Sequence, residues 1–180
     1  MDLAAIALRL ELQELYAAYG ACLDADRLEA WPGFFTEECS YRITSAENYE
    51  AGLPLGLIYA TSQAMLKDRV SALRDANIYE PQRYRHLVSG IVVDDTTRAN
   101  PSLAAEGGIG LSGGEGCGQD ALDVTANFLV VRTMQDGAMM LFAAGQYVDR
   151  VVRTQAGWRF ARKVVVLDSR QIDTLLAIPL

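Results

Sequence analysis

The chain has 180 residues, 51% of them hydrophobic, and a formal net charge of −7 from 16 basic and 23 acidic side chains. That length suits a single domain spanning residues 1–180 and burying on the order of 70% of its unfolded surface. The negative charge opposes a phosphate backbone, so nucleic acid is not expected as a partner, and no stretch reaches the roughly 20 apolar residues of a membrane span.

The opening "MDLAAIALRLELQELY" carries Asp2, Glu11 and Glu14 and no basic leader, so neither a secretory nor a mitochondrial signal is expected and a cytoplasmic location is. Leu8, Leu12, Leu15, Tyr19 and Leu23 recur at spacings of three and four, which predicts an amphipathic helix from Leu3 to Leu23. Pro32 and Gly33 break any continuation, and "CSYRIT" reads as a short strand. "AENYEAGLPLG" reads as a loop. Thr61 or Ser62 can cap a second helix with Leu66, Val70 and Leu73 as its buried stripe.

Strands are predicted at Gln82 to Asp94, Ala121 to Met134, Ala138 to Val152 and Trp158 to Leu167. The turns at "QDGA" and "TQAG" make the last three an antiparallel meander. Asp168 can cap a short final helix carrying Ile172, Leu175 and Leu176 and ended by Pro179. Helix, strand, helix and then long antiparallel strands describe an α+β fold, a strongly curved antiparallel sheet wrapped into a cone around N-terminal helices.

Residues 96–120 contain seven glycines and read as an insertion loop too poor in side chains to pack. Gly108, Gly110 and Gly113 form a G-x-G-x-x-G pattern. A dinucleotide site needs that pattern between a strand and a helix, and no helix follows here. Cofactor binding is not expected.

Cys22, Cys39 and Cys117 are odd in number and widely spaced, which predicts free thiols. The only histidine, His86, cannot by itself supply the two-histidine sets of mononuclear iron or Rieske sites, so no metal ligands are assigned. No G-x-S-x-G elbow accompanies His86. General acid–base chemistry inside a cone is the remaining catalytic option, with His86, Asp24 or Asp26, and Tyr16, Tyr19 or Tyr41 as its groups.

In "YEPQRYRHLVSGIVV", alternation puts Tyr84, His86, Val88, Gly90 and Val92 on one strand face and Arg83, Arg85, Leu87, Ser89 and Ile91 on the other. A lone imidazole on a mostly apolar face is expected to hold structure rather than to catalyse. Tyr79, Arg83, Tyr84, Arg85 and His86 supply residue types that interfaces favour and are the candidate subunit contacts.

"WPGFFTEECSYRIT", "MLKDRVSALRDANIYEPQRYRHLVSGIVV", "GQYVDRVVRTQAGWRF" and "VLDSRQIDTLLAIPL" together carry a resemblance over nearly the whole chain. They resemble the small (beta) subunit of aromatic-ring-hydroxylating Rieske dioxygenases, the terephthalate type in particular, with salicylate-hydroxylating relatives as the alternative subtype. The resemblance implies a cone similar to nuclear transport factor and ketosteroid isomerase folds. It also implies an alpha3beta3 hetero-hexamer in which a large subunit carries a Rieske 2Fe-2S cluster and mononuclear Fe(II). NADH would act through a reductase, and the small subunit would contact its large partner and other beta subunits without catalytic residues of its own. A free-standing cone-fold isomerase or dehydratase using His86 and Asp26 is the rival reading.

Overall fold

A computed structural model describes residues 3–94, 121–171, 176 and 178–180. The first helix, α1 (Leu3–Asp24), buries Leu12, Leu15, Tyr19 and Leu23 of the predicted stripe, leaves Leu8 half-buried, and also buries Tyr16 and Cys22. A 3-10 turn at Trp31–Phe34, with Pro32 in its first turn, leads into β1 (Phe35–Ser45). This strand is longer than the "CSYRIT" core because Phe35 also pairs, opposite Phe160.

The stretch read as a loop, residues 46–56, contains one short helix, and a short strand follows it. Ser45 accepts a hydrogen bond from the Asn48 amide and so caps α2 (Ala46–Glu50). After it, β2 (Ile58–Ala60) pairs antiparallel with β1. Helix α3 (Gln63–Asp75) starts at Ser62, whose hydroxyl accepts from the Met65 amide, and buries Leu66, Val70 and Leu73 as expected.

The long strands β3 (Gln82–Val93), β4 (Ala121–Met134), β5 (Met139–Thr154) and β6 (Gly157–Leu167) follow the predicted ranges to within two residues. The sheet order is β2-β1-β6-β5-β4-β3. The meander β4-β5-β6 is antiparallel, but β1 lies parallel to β6, so the sheet is mixed. Turn chemistry could not show this pairing, because no turn joins β1 to β6 and only tertiary packing brings them together.

The inner face of the sheet packs on α1, chiefly along β3 and β6. Residues 96–120 and most of the proposed final helix lie outside the described residues. Among the described residues, no helix is long and apolar enough to cross a membrane.

Two bulges decide which side chains enter the cone. In β3, Ser89 faces Asn127 and Val92 faces Thr125, so Gly90 and Ile91 together oppose one residue of β4. Gly90 sits at φ +61°, and a Cβ there would meet the Asn127 side chain at 2.9 Å, which explains glycine at this point. The extra residue inverts the faces. Ile91 and Val93 pack against the core while Val92 is exposed, the reverse of simple alternation. In β6 the register slips between Phe160 and Arg162, leaving Ala161 as the extra residue. Trp158 and Phe160 face inward before it, and Lys163, Val165 and Leu167 after it.

Candidate functional site

Two polar clusters lie at opposite depths of the cone. At its mouth, Asp24 ends α1 and His86 lies on β3, the edge strand of the sheet. His86 Nδ1 lies 2.6 Å from Asp24 Oδ1, and the His86 backbone N–H donates to both carboxylate oxygens at 3.1 Å. The imidazole is 0% exposed, so it is enclosed rather than presented to a substrate. Its Nε2 is buried without a hydrogen-bond partner.

A carboxylate at a helix C-terminus faces the negative end of the helix dipole and needs donors. His86 supplies two of them. In return Asp24 covers a backbone N–H on the free edge of β3, where an unpaired donor would invite another strand.

The rival pairing of His86 with Asp26 does not occur. Asp26 accepts from Arg74 of α3 at 2.9 and 3.0 Å, and Arg74 also holds Glu29. Two residues beyond Asp24, the chain has left the helix and turned outward, with Asp26 at φ +54°. The isomerase or dehydratase reading therefore loses its named base.

The candidate contact residues divide between the faces of β3. Tyr84 is buried, with its ring 5.4 Å from that of Phe142 and 6.3 Å from that of His86, and burial raises its hydroxyl to about 12. Tyr79 is half-buried against the core. Arg83 and Arg85 are exposed, and Arg85 donates to the carbonyl of Tyr84. A groove of about 250 Å³ runs between residues 23–26 and residues 82–85, with Ile178 beside them.

Arg83 and Arg85 share their outward face with apolar side chains. Leu87 is 54% exposed and pairs with Leu129, while Arg85 pairs with Val131 and Val131 with Leu141, itself 60% exposed. An apolar strip thus crosses β3, β4 and β5, bordered by two arginines.

The second cluster is sealed. Lys163 and Asp149 are both fully buried and 2.8 Å apart, and Tyr16 donates to the same carboxylate oxygen at 2.7 Å. The ammonium lies 3.5 Å from the Tyr147 ring centroid and within 5.0 Å of those of Tyr16, Tyr19 and Phe160. Burial pushes the Asp149 carboxyl up and the Lys163 ammonium down, and their mutual pairing opposes both shifts. Burial, reinforced by Asp149, also raises the Tyr16 hydroxyl well above its ordinary range.

The candidate tyrosines Tyr16, Tyr19 and Tyr41 do converge inside, but on Asp149 and on the backbone of Leu180. Asp149 was legible from its parity with Tyr147 and Val151. Lys163 was not, because the Ala161 bulge sets its direction. Each of these groups is held by another side chain or by the backbone, and the cluster has the character of a buried brace.

The donors do not fit a Rieske cluster or a two-histidine iron site, since the whole chain holds one histidine and its Nδ1 is engaged by Asp24. Cys22 and Cys39 are buried free thiols on separate elements.

A SnoaL-like domain model matches residues 4–106. The chain is 40% identical over 170 residues to the anthranilate 1,2-dioxygenase small subunit of Burkholderia cepacia, covering 94% of this chain and 92% of that one. It is 37% identical over 173 residues to terephthalate 1,2-dioxygenase terminal oxygenase component subunit beta 1 of a Comamonas species, covering 95% and 97%. Both substrates named there stand at similar distance from this chain.

A crystal structure described as the beta subunit of an aromatic-ring-hydroxylating dioxygenase from Novosphingobium aromaticivorans superimposes with a TM-score of 0.76 at 35% identity, covering 99% of this chain and all of that one. The mixed sheet around α1 is the nuclear transport factor-like cone. By fold and by identity along nearly its whole length, the chain belongs to the small subunits of aromatic-ring-hydroxylating dioxygenases, built on a SnoaL-like domain.

Proposed function

We propose that this chain is the non-catalytic assembly subunit of a Rieske dioxygenase acting on an aromatic carboxylate, and that the outward face of β3–β5 seats the large subunit. The observation that carries the reading is the apolar strip of Leu87, Leu129, Val131 and Leu141 edged by Arg83 and Arg85. Contiguous exposed apolar surface with a polar border is characteristic of docking sites. Arg83 and Arg85 make the direct contacts, because forked guanidinium groups suit carboxylates at interfaces. Tyr84 and His86 support them from the inner face, and Tyr79 packs at the entry to the strand.

In this reading the large subunit holds the Rieske 2Fe-2S cluster and mononuclear Fe(II), NADH supplies electrons through a reductase, and an alpha3beta3 hexamer assembles in the cytoplasm. Terephthalate and anthranilate, named for the relatives above, both present a ring-bound carboxylate, and that shared group defines the proposed substrate class.

Co-expression with the large subunit tests the assignment. The unmodified chain should co-purify as a complex of several hundred kilodaltons. Arg83→Glu combined with Leu87→Asp should fold, as judged by circular dichroism, yet fail to co-purify. Normal assembly of that variant would place the interface elsewhere, and turnover by the small chain alone would overturn the non-catalytic role.

A further inference from the structure

β3 ends the sheet, so one side of its main chain has no neighbouring strand. The His86 N–H points away from β4 and into the Asp24 carboxylate, and Met134, opposite Gln82 on β4, turns its own N–H the other way, to the Ala138 carbonyl. Main-chain groups in an antiparallel pair alternate direction at every residue. Those of Gln82 and Tyr84 therefore face the free edge together with His86. Among the described residues, the Gln82 and Tyr84 amides have no acceptor, and the Tyr84 carbonyl takes one hydrogen bond, from the exposed Arg85 guanidinium at 2.9 Å.

Asp24 closes this edge at His86 by taking its amide with both oxygens at 3.1 Å. On the N-terminal side of that closure the groove of about 250 Å³ runs beside residues 82–85, lined by the apolar Leu23 and Ile178 and edged by Asp26, Arg83 and Arg85. Just ahead of the strand, Ile78 is 99% exposed. Unpaired main-chain groups on an edge recruit another strand, and natural sheets cover an edge they must keep free. Here a carboxylate covers His86, and the stretch before it opens onto a groove with apolar walls.

We infer that an extended segment of the large subunit adds to the free edge of β3 at Gln82–Tyr84 and lies in this groove as one more strand. The inference rests on the docking role proposed for Arg83 and Arg85. Their side chains belong to that docking face and their strand supplies the edge, so one partner reaches both. Strand addition draws its affinity from main-chain hydrogen bonds and its selectivity from alternate side chains. Period two then fixes the chemistry of the segment. Side chains on one of its faces stand beside Arg83 and Arg85 and are acidic, and those on the other stand over Leu23 and Ile178 and are apolar. Asp24 ends the pairing at His86, so the added strand is short.

Hydrogen exchange in the free chain and in the reconstituted oxygenase reads the new bonds directly and needs no variant. Assembly should slow the Gln82 and Tyr84 amides by at least about tenfold, whereas those of Arg83 and Arg85, which face β4, should change little. Gln82→Pro removes one edge N–H and keeps both arginines, and proline is accepted at the first residue of an edge strand. Its complex should dissociate about tenfold faster than that of Gln82→Ala, which keeps the N–H. Unchanged exchange at both amides in an assembled complex, or equal dissociation of the two variants, would overturn strand addition. The docking face is tested separately by Arg83→Glu with Leu87→Asp. If that variant fails to assemble while exchange at Gln82 and Tyr84 is unchanged in the unmodified complex, strand addition falls and the docking face stands. If it assembles normally and both amides still slow, the edge binds the large subunit and the apolar strip does not.

Discussion

Asp24 and His86 stand 62 positions apart in the chain and are joined by three hydrogen bonds, two from the His86 amide and one from its ring. The pair fastens the end of α1 to the edge strand β3. The sequence predicts that His86 holds structure, with acid–base chemistry as the rival option, and a fully enclosed ring engaged by Asp24 is consistent with the structural role.

His86→Ala removes the ring contact and leaves Asp24 with the backbone N–H of residue 86. Stability should fall by about 1–3 kcal/mol. In a double-mutant cycle with Asp24→Ala, the two losses should fall short of additivity by about 0.5–3 kcal/mol. Denaturant unfolding of the four proteins measures this, and full additivity would deny the coupling. In the reconstituted oxygenase, turnover per iron should stay within a few-fold of the unmodified complex. A loss of roughly a hundredfold or more, the size of a general acid–base contribution, with assembly intact would make His86 catalytic.

Lys163→Met strands Asp149 in the core as a carboxylate with Tyr16 as its remaining side-chain donor. The expected cost is about 3–5 kcal/mol, because removing one member of a buried pair leaves the other uncompensated. Adding Asp149→Asn should recover part of that loss. Thermal midpoints of the two variants decide it, and a double variant less stable than the single would contradict the account.

Burial pushes the Cys39 thiol up to about 11. The folded state therefore prefers the neutral thiol, and this contribution is fully present below the unfolded value of about 8.5. It fades as pH rises from there to about 11, where the folded thiol also ionises. Between pH 8 and 11 the unmodified chain should lose on the order of 2 kcal/mol more than Cys39→Ala. Parallel loss in the two proteins would show that the thiol does not titrate in this way. Native Cys39 should also resist alkylation at pH 8.

Gly145 faces Leu167 across β5 and β6, and a Cβ there would lie 1.9 Å from the carbonyl oxygen of Val166. Gly145→Ala must push the two strands apart. It should destabilise the chain more than Gly33→Ala, where a Cβ meets nothing within 4 Å. Comparable midpoints for the two variants would refute the close approach.

The local pattern of the sequence determined most of the elements. Spacing of three and four placed α1 and α3, alternation with turn residues placed the β4-β5-β6 meander, and Thr61 or Ser62 marked a helix start, because these signals depend on neighbours within a few residues. Composition and the single histidine settled which metal sites the chain cannot build.

Tertiary structure decided the rest. The parallel partnership of β1 with β6 joins segments more than a hundred residues apart, and no local signal encodes it. Asp24 rather than Asp26 meets His86 because the chain leaves the helix between them, and two residues of turn are enough to redirect a carboxylate outward. The bulges at Gly90 and Ala161 each reverse which side chains enter the cone, since a strand has period two and one added residue exchanges its faces. That exchange puts Ile91 and Lys163 inside, and with Lys163 comes the buried pair that simple alternation along the sequence would have divided.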